Sequence, residues 1–137
     1  MSPLAVDTSV AVALVVTSHR AHEIVSRYVG TRPVLLAAHA QLETYSVLTR
    51  LPGDARLAAA DAQTIIANRF GDPIPMVPDD HLALLAMFAS AGVVGGAVYD
   101  GVIGLTAKRA GLQLATRDRR AVPTFLALGV GHELMAD

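Results

Sequence analysis

Short strand-like runs alternating with long stretches of helical periodicity constrain this chain more than any other feature. Leu4-Ala5-Val6 is apolar at every position, as a strand buried on both faces must be, and it runs straight into Asp7-Thr8-Ser9. Val34-Leu35-Leu36 reads as a second short strand, and Leu112-Gln113-Leu114-Ala115 alternates as a third should. Strands interleaved with helices imply an α/β fold, a three-layer α/β/α sandwich with a mostly parallel central sheet. No internal repeat, linker or low-complexity tract divides the 137 residues, so residues 1–137 are expected to form a single domain around one core.

The helical stretches have readable ends. A helix capped by Thr8 or Ser9 continues through Val10 to Val16. The pattern from Ser18 to Val29 puts Ile24, Val25 and Tyr28 on one side, and Gly30 to Pro33 breaks it. His39 to Leu51 carries Leu42, Tyr45 and Leu48 at helical spacing and stops at Pro52-Gly53-Asp54, after which Ala55 to Phe70 forms a helix hairpinned against it. Ile74 to Val77 makes no more than a short strand. Asp79-Asp80 caps a helix through Ala91 whose apolar content is Leu82, Leu85, Met87, Phe88 and Ala89, and Gly92 to Gly96 is a loop. Asp100 opens the next helix, which ends in Lys108-Arg109 and Gly111: a basic pair against the negative end of the helix dipole, then a residue suited to a left-handed cap. A helix around Pro123 to Leu128 and a short segment from Val130 to Leu134 complete the chain.

Against this frame, Asp7 and Asp118 each follow a strand and Asp100 precedes a helix, and ligands in open α/β sheets collect at such junctions. Glu43 has no Lys or Arg three or four residues away on its own helix. Carboxylates held together repel, which raises at least one pKa unless a cation sits among them. All-oxygen ligation favours Mg²⁺ or Mn²⁺ over zinc. Such ions bind phosphates, lower the pKa of an attacking water and, in pairs, stabilise both the entering and the leaving oxygen of a phosphodiester hydrolysis. Each Asp taken alone is equally a helix cap, and Glu43 alone an exposed helix residue; only their convergence carries the metal reading. His19 and His22 could share a helix face, but no third nitrogen ligand is in reach. Met76 and Met87 read as core or interface, and Lys108 as a helix end.

In the order Asp7-Thr8-Ser9, Glu43 within a helix, Asp100 at a helix start, then Thr116-Arg117-Asp118-Arg119-Arg120, the chain resembles the PIN-domain ribonucleases, and among them the toxins of VapBC-type toxin–antitoxin pairs. The resemblance covers essentially the whole chain, and Thr116 to Leu128 with Leu128-Gly129-Val130 is its most specific part. It implies parallel strands sandwiched by helices and a metal-dependent endoribonuclease in which Asp7, Glu43, Asp100 and Asp118 are the metal-binding acids. Ser9 and Thr116 match hydroxyl positions that orient those acids. Gly101 and Gly104 depart from the pattern, leaving that helix Gly-rich at about 1 kcal/mol each relative to alanine; they either permit close packing or loosen the edge of the site. Arg117, Arg119 and Arg120 read either as a grip on RNA phosphates or as a solvated turn. The resemblance also implies an antitoxin partner that covers apolar helices and brings a basic side chain near the acids. The alternative is a PIN-like fold without activity, acting through protein or RNA contacts. A phospho-accepting receiver domain would need a lysine at a late strand end, and a haloacid-dehalogenase-type phosphatase an Asp-x-Asp where Asp7-Thr8-Ser9 stands.

Composition narrows the setting. A formal charge of −1 provides no global basic field, so RNA binding must rest on a local patch or on bound cations. Cysteine is absent, no segment approaches the roughly 20 apolar residues of a membrane span, and no basic residue precedes Ala11 to Val16 as in a signal peptide. The expectation is a soluble, unprocessed cytoplasmic protein. The hydrophobic fraction of 53% suggests apolar surface left for an interface, and a homodimer is expected with Leu42 to Leu48 and the helix from Ala55 as contact surface.

Overall fold

The computed structural model describes residues 2–135. Strand β1 (Leu4–Val6) pairs in parallel with β2 (Val34–Leu35) on one side, Leu4 opposite Val34, and with β3 (Leu114–Thr116) on the other, Ala5 opposite Leu114. Strand β4 (His132–Leu134) pairs in parallel with β3, giving the order β2-β1-β3-β4. Successive side chains on a strand face opposite sides of the sheet, yet Leu4, Ala5 and Val6 are all at most 1% exposed, so both faces are covered. That is the expected sandwich. The segment after Gly71 adds only one parallel bridge, Ile74 to Ala37.

From β1 the chain crosses to β2 and then returns to the far side of β1 to lay down β3, so strand order reverses between β1 and β3. The carboxyl ends of those strands therefore adjoin at the place where open α/β sheets hold ligands, and the Asp7 amide donates to the Ala115 carbonyl at 3.1 Å.

Seven α-helices surround the sheet among the described residues: α1 (Thr8–Val15), α2 (His22–Val29), α3 (Ala38–Leu48), α4 (Ala59–Phe70), α5 (Pro78–Ala91), α6 (Ala97–Arg109) and α7 (Val122–Ala127). Helix α1 is buried from Val10 to Leu14, and a helix apolar all round belongs inside. Several expected boundaries move. Helix α2 begins at His22 and buries Val25 and Val29, four residues apart, while Ile24 faces out, because its inward stripe is narrower than the sequence pattern implied. Helix α4 begins at Ala59, since Gly53–Ala55 is a 3₁₀ turn and the Leu57 amide is taken by the Leu48 carbonyl. Asp79 and Asp80 lie inside the first turn of α5 behind Pro78, with no side-chain cap. Its inward residues are Leu84 and Phe88, whereas Leu82 and Leu85 are each 82% exposed. On α3, Leu48 and Thr44 are buried in the core, while Leu42, Tyr45 and Ser46 of the expected dimer surface are exposed, as is most of α4.

Helix α6 is seated against its neighbours through its glycines. A Cβ on Gly101 would lie 2.8 Å from the buried Phe88 ring, and one on Gly104 would lie 3.0–3.1 Å from Phe125 and Val130. Both glycines serve close packing, and α6 thereby sits deep enough to present Asp100 beside the sheet. In its last turn, Lys108 donates to the Leu128 carbonyl at 3.1 Å, a structural tie. No described helix is long and apolar enough to cross a membrane.

Candidate active site

Asp7 is buried at the carboxyl end of β1 and caps α1 itself, in place of the expected Thr8 or Ser9. Its backbone is extended, so its Oδ1 reaches the Val10 amide at 3.2 Å, while Thr8 and Ser9 are already helical and their hydroxyls are spent elsewhere. The Ser9 hydroxyl donates to Asp7 Oδ1 at 2.6 Å and accepts the Arg117 amide at 2.9 Å. The Thr116 hydroxyl donates to Asp7 Oδ2 and accepts the Asp118 amide at 3.1 Å. Two hydroxyls thus bind one carboxylate and stitch the end of β1 to the loop after β3. Burial pushes the Asp7 carboxyl above its ordinary pKa and the like charge of Asp118 adds to this, while the bonds from Ser9, Thr116 and Val10 oppose it.

Glu43 arrives from α3. The Thr8 hydroxyl donates to its Oε1 at 2.7 Å, and His39, one turn earlier, places Nε2 3.4 Å from Oε2. A search for Lys or Arg alone passes over that neighbour, although its i,i+4 spacing is visible in the sequence. The His39 ring in turn stacks on Tyr99, with centroids 5.3 Å apart and planes 6° apart.

Asp100 does not open α6; Gly96 caps that helix and Asp100 sits in its first turn, released from capping duty. Among the described residues its partly buried carboxylate has no hydrogen-bonding partner. Burial, then the like charges of Asp118, Asp7 and Glu43, push its pKa up to about 6, with Arg120 pulling the other way. Asp118 caps the 3₁₀ turn Arg119–Ala121, its Oδ1 accepting the Arg120 amide at 3.0 Å and lying 3.5 Å from Arg120 Nε. Four acids from four separate segments therefore share one electrostatic neighbourhood. Among the described residues no three His, Asp or Glu side chains are gathered tightly enough to form a finished cation cage. The donor set nonetheless fits a hard divalent cation: oxygen donors only, surplus negative charge, and one carboxylate without a partner.

Beside the acids runs a groove of ≈ 720 Å³ with Thr8, Ser9, Glu43 and Asp118 along it and with His19, Arg50, Arg117 and Arg120 among its other lining residues. Arg119 is exposed and does not line it. Arg50, just past the end of α3, escaped the sequence reading, having no motif to mark it. The histidines His19 and His22 do not pair: His19 accepts the Ala21 amide, and His22 sits 2.9 Å from the Ala13 carbonyl.

Residues 4–124 match the PIN domain family. The chain belongs to that family. Among its PIN relatives are Ribonuclease VapC27 of Mycobacterium tuberculosis, 45% identical over 98% of this chain and 97% of the relative, and Ribonuclease VapC40 of the same species, 43% identical over 96% and 98%. The same fold occurs in FitAcB from Neisseria gonorrhoeae, with a TM-score of 0.67 at 21% identity over 96% of both chains. A structure of FitAB bound to the IR36 DNA fragment gives 0.66 at 20% identity over 98% of this chain and 94% of that one.

Proposed function

We propose that this PIN domain is a metal-dependent endoribonuclease that cleaves RNA phosphodiester bonds by attack of water, and that it acts in the cytoplasm as the toxin of a toxin–antitoxin pair. The observation that carries the reading is the convergence of four acids from separate segments: Ser9 and Thr116 bind Asp7, Thr8 binds Glu43, and Asp100 feels Asp118, Asp7 and Glu43 as like charges. A pure binding module gains nothing from that repulsion. The ribonuclease names of relatives 43–45% identical over nearly the whole chain support the same reading.

Asp7, Glu43, Asp100 and Asp118 would hold Mg²⁺ or Mn²⁺. When bound, such an ion polarises a phosphoryl oxygen and makes water nucleophilic at neutral pH. The chain's own residues do the positioning. Ser9 and Thr116 lock the Asp7 carboxylate in one orientation, Thr8 holds Glu43, and Arg117 and Arg120 give the phosphate backbone a cationic wall. Arg119, exposed beside them, extends that cationic wall beyond the groove.

The partners follow from the same reading: an antitoxin, and a second copy of this chain. The decisive experiment incubates the purified protein, free of partner, with RNA and Mg²⁺ or Mn²⁺, beside Asp7→Asn and Asp100→Asn. The expected outcome is cleavage by the parent protein alone, abolished by a chelator. Equal products from parent and variants would reject the site.

A further inference from the structure

Two of the four acids each have an aromatic ring as a close neighbour in sequence, and those rings come together. His39 precedes Glu43 by one turn on α3, Tyr99 adjoins Asp100 on α6, and the two rings stack nearly parallel, 6° apart with centroids at 5.3 Å. His39 also places Nε2 3.4 Å from Glu43 Oε2, which sets the stack beside that acid. Tyr99 is 53% exposed despite this partner, which is far from the burial of a ring placed only to pack two helices.

We propose that the His39–Tyr99 stack is a platform on which one base of a single-stranded RNA lies, setting which phosphate reaches the carboxylates. This rests on the nuclease reading above and deepens it. His39 and Glu43 lie on α3 and Arg50 just past its end, spaced over roughly 15 Å, with a ring at one end, an acid in the middle and a cation at the other. A short run of unpaired nucleotides spans that length, from a base on the rings, which lie outside the groove, to backbone phosphates in the groove lined by Glu43, Arg50 and Arg117. Every base has a flat face, so the platform anchors the strand with little sequence preference. Bases inside a duplex are already stacked and cannot occupy it, which makes unpaired RNA the substrate form.

The test is a cycle in binding, independent of cleavage. Affinity for a short single-stranded RNA is measured by fluorescence anisotropy at low salt in a chelator, with one abasic nucleotide walked along the oligonucleotide. For the parent protein, one abasic position is expected to weaken binding by about 5- to 150-fold, the range of a single base–aromatic stack. Tyr99→Leu should start weaker by a similar factor and lose nothing further at that position, whereas Tyr99→Phe should behave as the parent. Stacking partners couple in this way, and a merely structural tyrosine does not. Equal abasic penalties in the parent protein and Tyr99→Leu, no abasic penalty at all, or no binding to single-stranded RNA would each overturn the platform. Loss of metal-dependent cleavage in the parent protein would instead reject the nuclease reading, so the two failures are told apart.

Discussion

At the scale of single residues, Asp100 links stability to activity. Its carboxyl has a pKa raised from 3.8 to about 6, so the folded state holds the proton more tightly than the unfolded chain does. An acid shifted in that direction opposes folding once ionised: stability from this group is lowest above about pH 6 and is recovered as pH falls from there toward 3.8. Asp100→Asn removes the charge, and after discounting for solvent screening it should stabilise the metal-free protein by about 1 kcal/mol, or roughly 3–5 °C in Tm at neutral pH. Adding Mn²⁺ should raise the Tm of the parent protein and leave that of the variant nearly unchanged. A scan in which Asp100→Asn melts at or below the parent in chelator would contradict the account. Asp7 is shifted in the same direction by its burial, with the bonds from Ser9, Thr116 and the Val10 amide offsetting part of that cost.

At the scale of elements, the placement of α6 decides whether Asp100 reaches the site. Gly104 lets the helix lie against the fully buried Phe125 ring and Val130. A methyl group there must displace two buried neighbours, and the cost of such overpacking exceeds the ~1 kcal/mol that alanine gains in helix propensity. Gly104→Ala should therefore destabilise by about 1–2 kcal/mol net, as a lower denaturant midpoint with unchanged m-value. An increase in the midpoint would show that α6 has room to spare. The glycines looked like a weakness when read from propensity alone; the packing partners that explain them lie in other helices.

For the whole molecule, the surplus of apolar residues has a definite address. Leu82 and Leu85 are one turn apart on α5 and each 82% exposed, while Leu48, placed by its spacing on a contact surface, is sealed in the core. Apolar side chains left in water at that density favour association. Light scattering at micromolar concentration should return the mass of a homodimer, and a monomer would remove the second copy from the proposed partners.

The alternation of strand and helix, the parallel sheet and the acids at strand ends were legible in the chain alone, because a period of two or of 3.6 and a carboxylate at a junction are local properties. Ser9 and Thr116 were legible only through the resemblance to the PIN-domain ribonucleases, and the basic turn as a cluster of arginines around Asp118. Tertiary structure alone decided the rest. Thr8 meets Glu43 across 35 positions, Thr116 meets Asp7 across 109, His39 stacks on Tyr99, and Arg50 joins the groove. Such meetings depend on how the helices pack across the sheet, and the spacing of residues within one element carries no information about a partner in another.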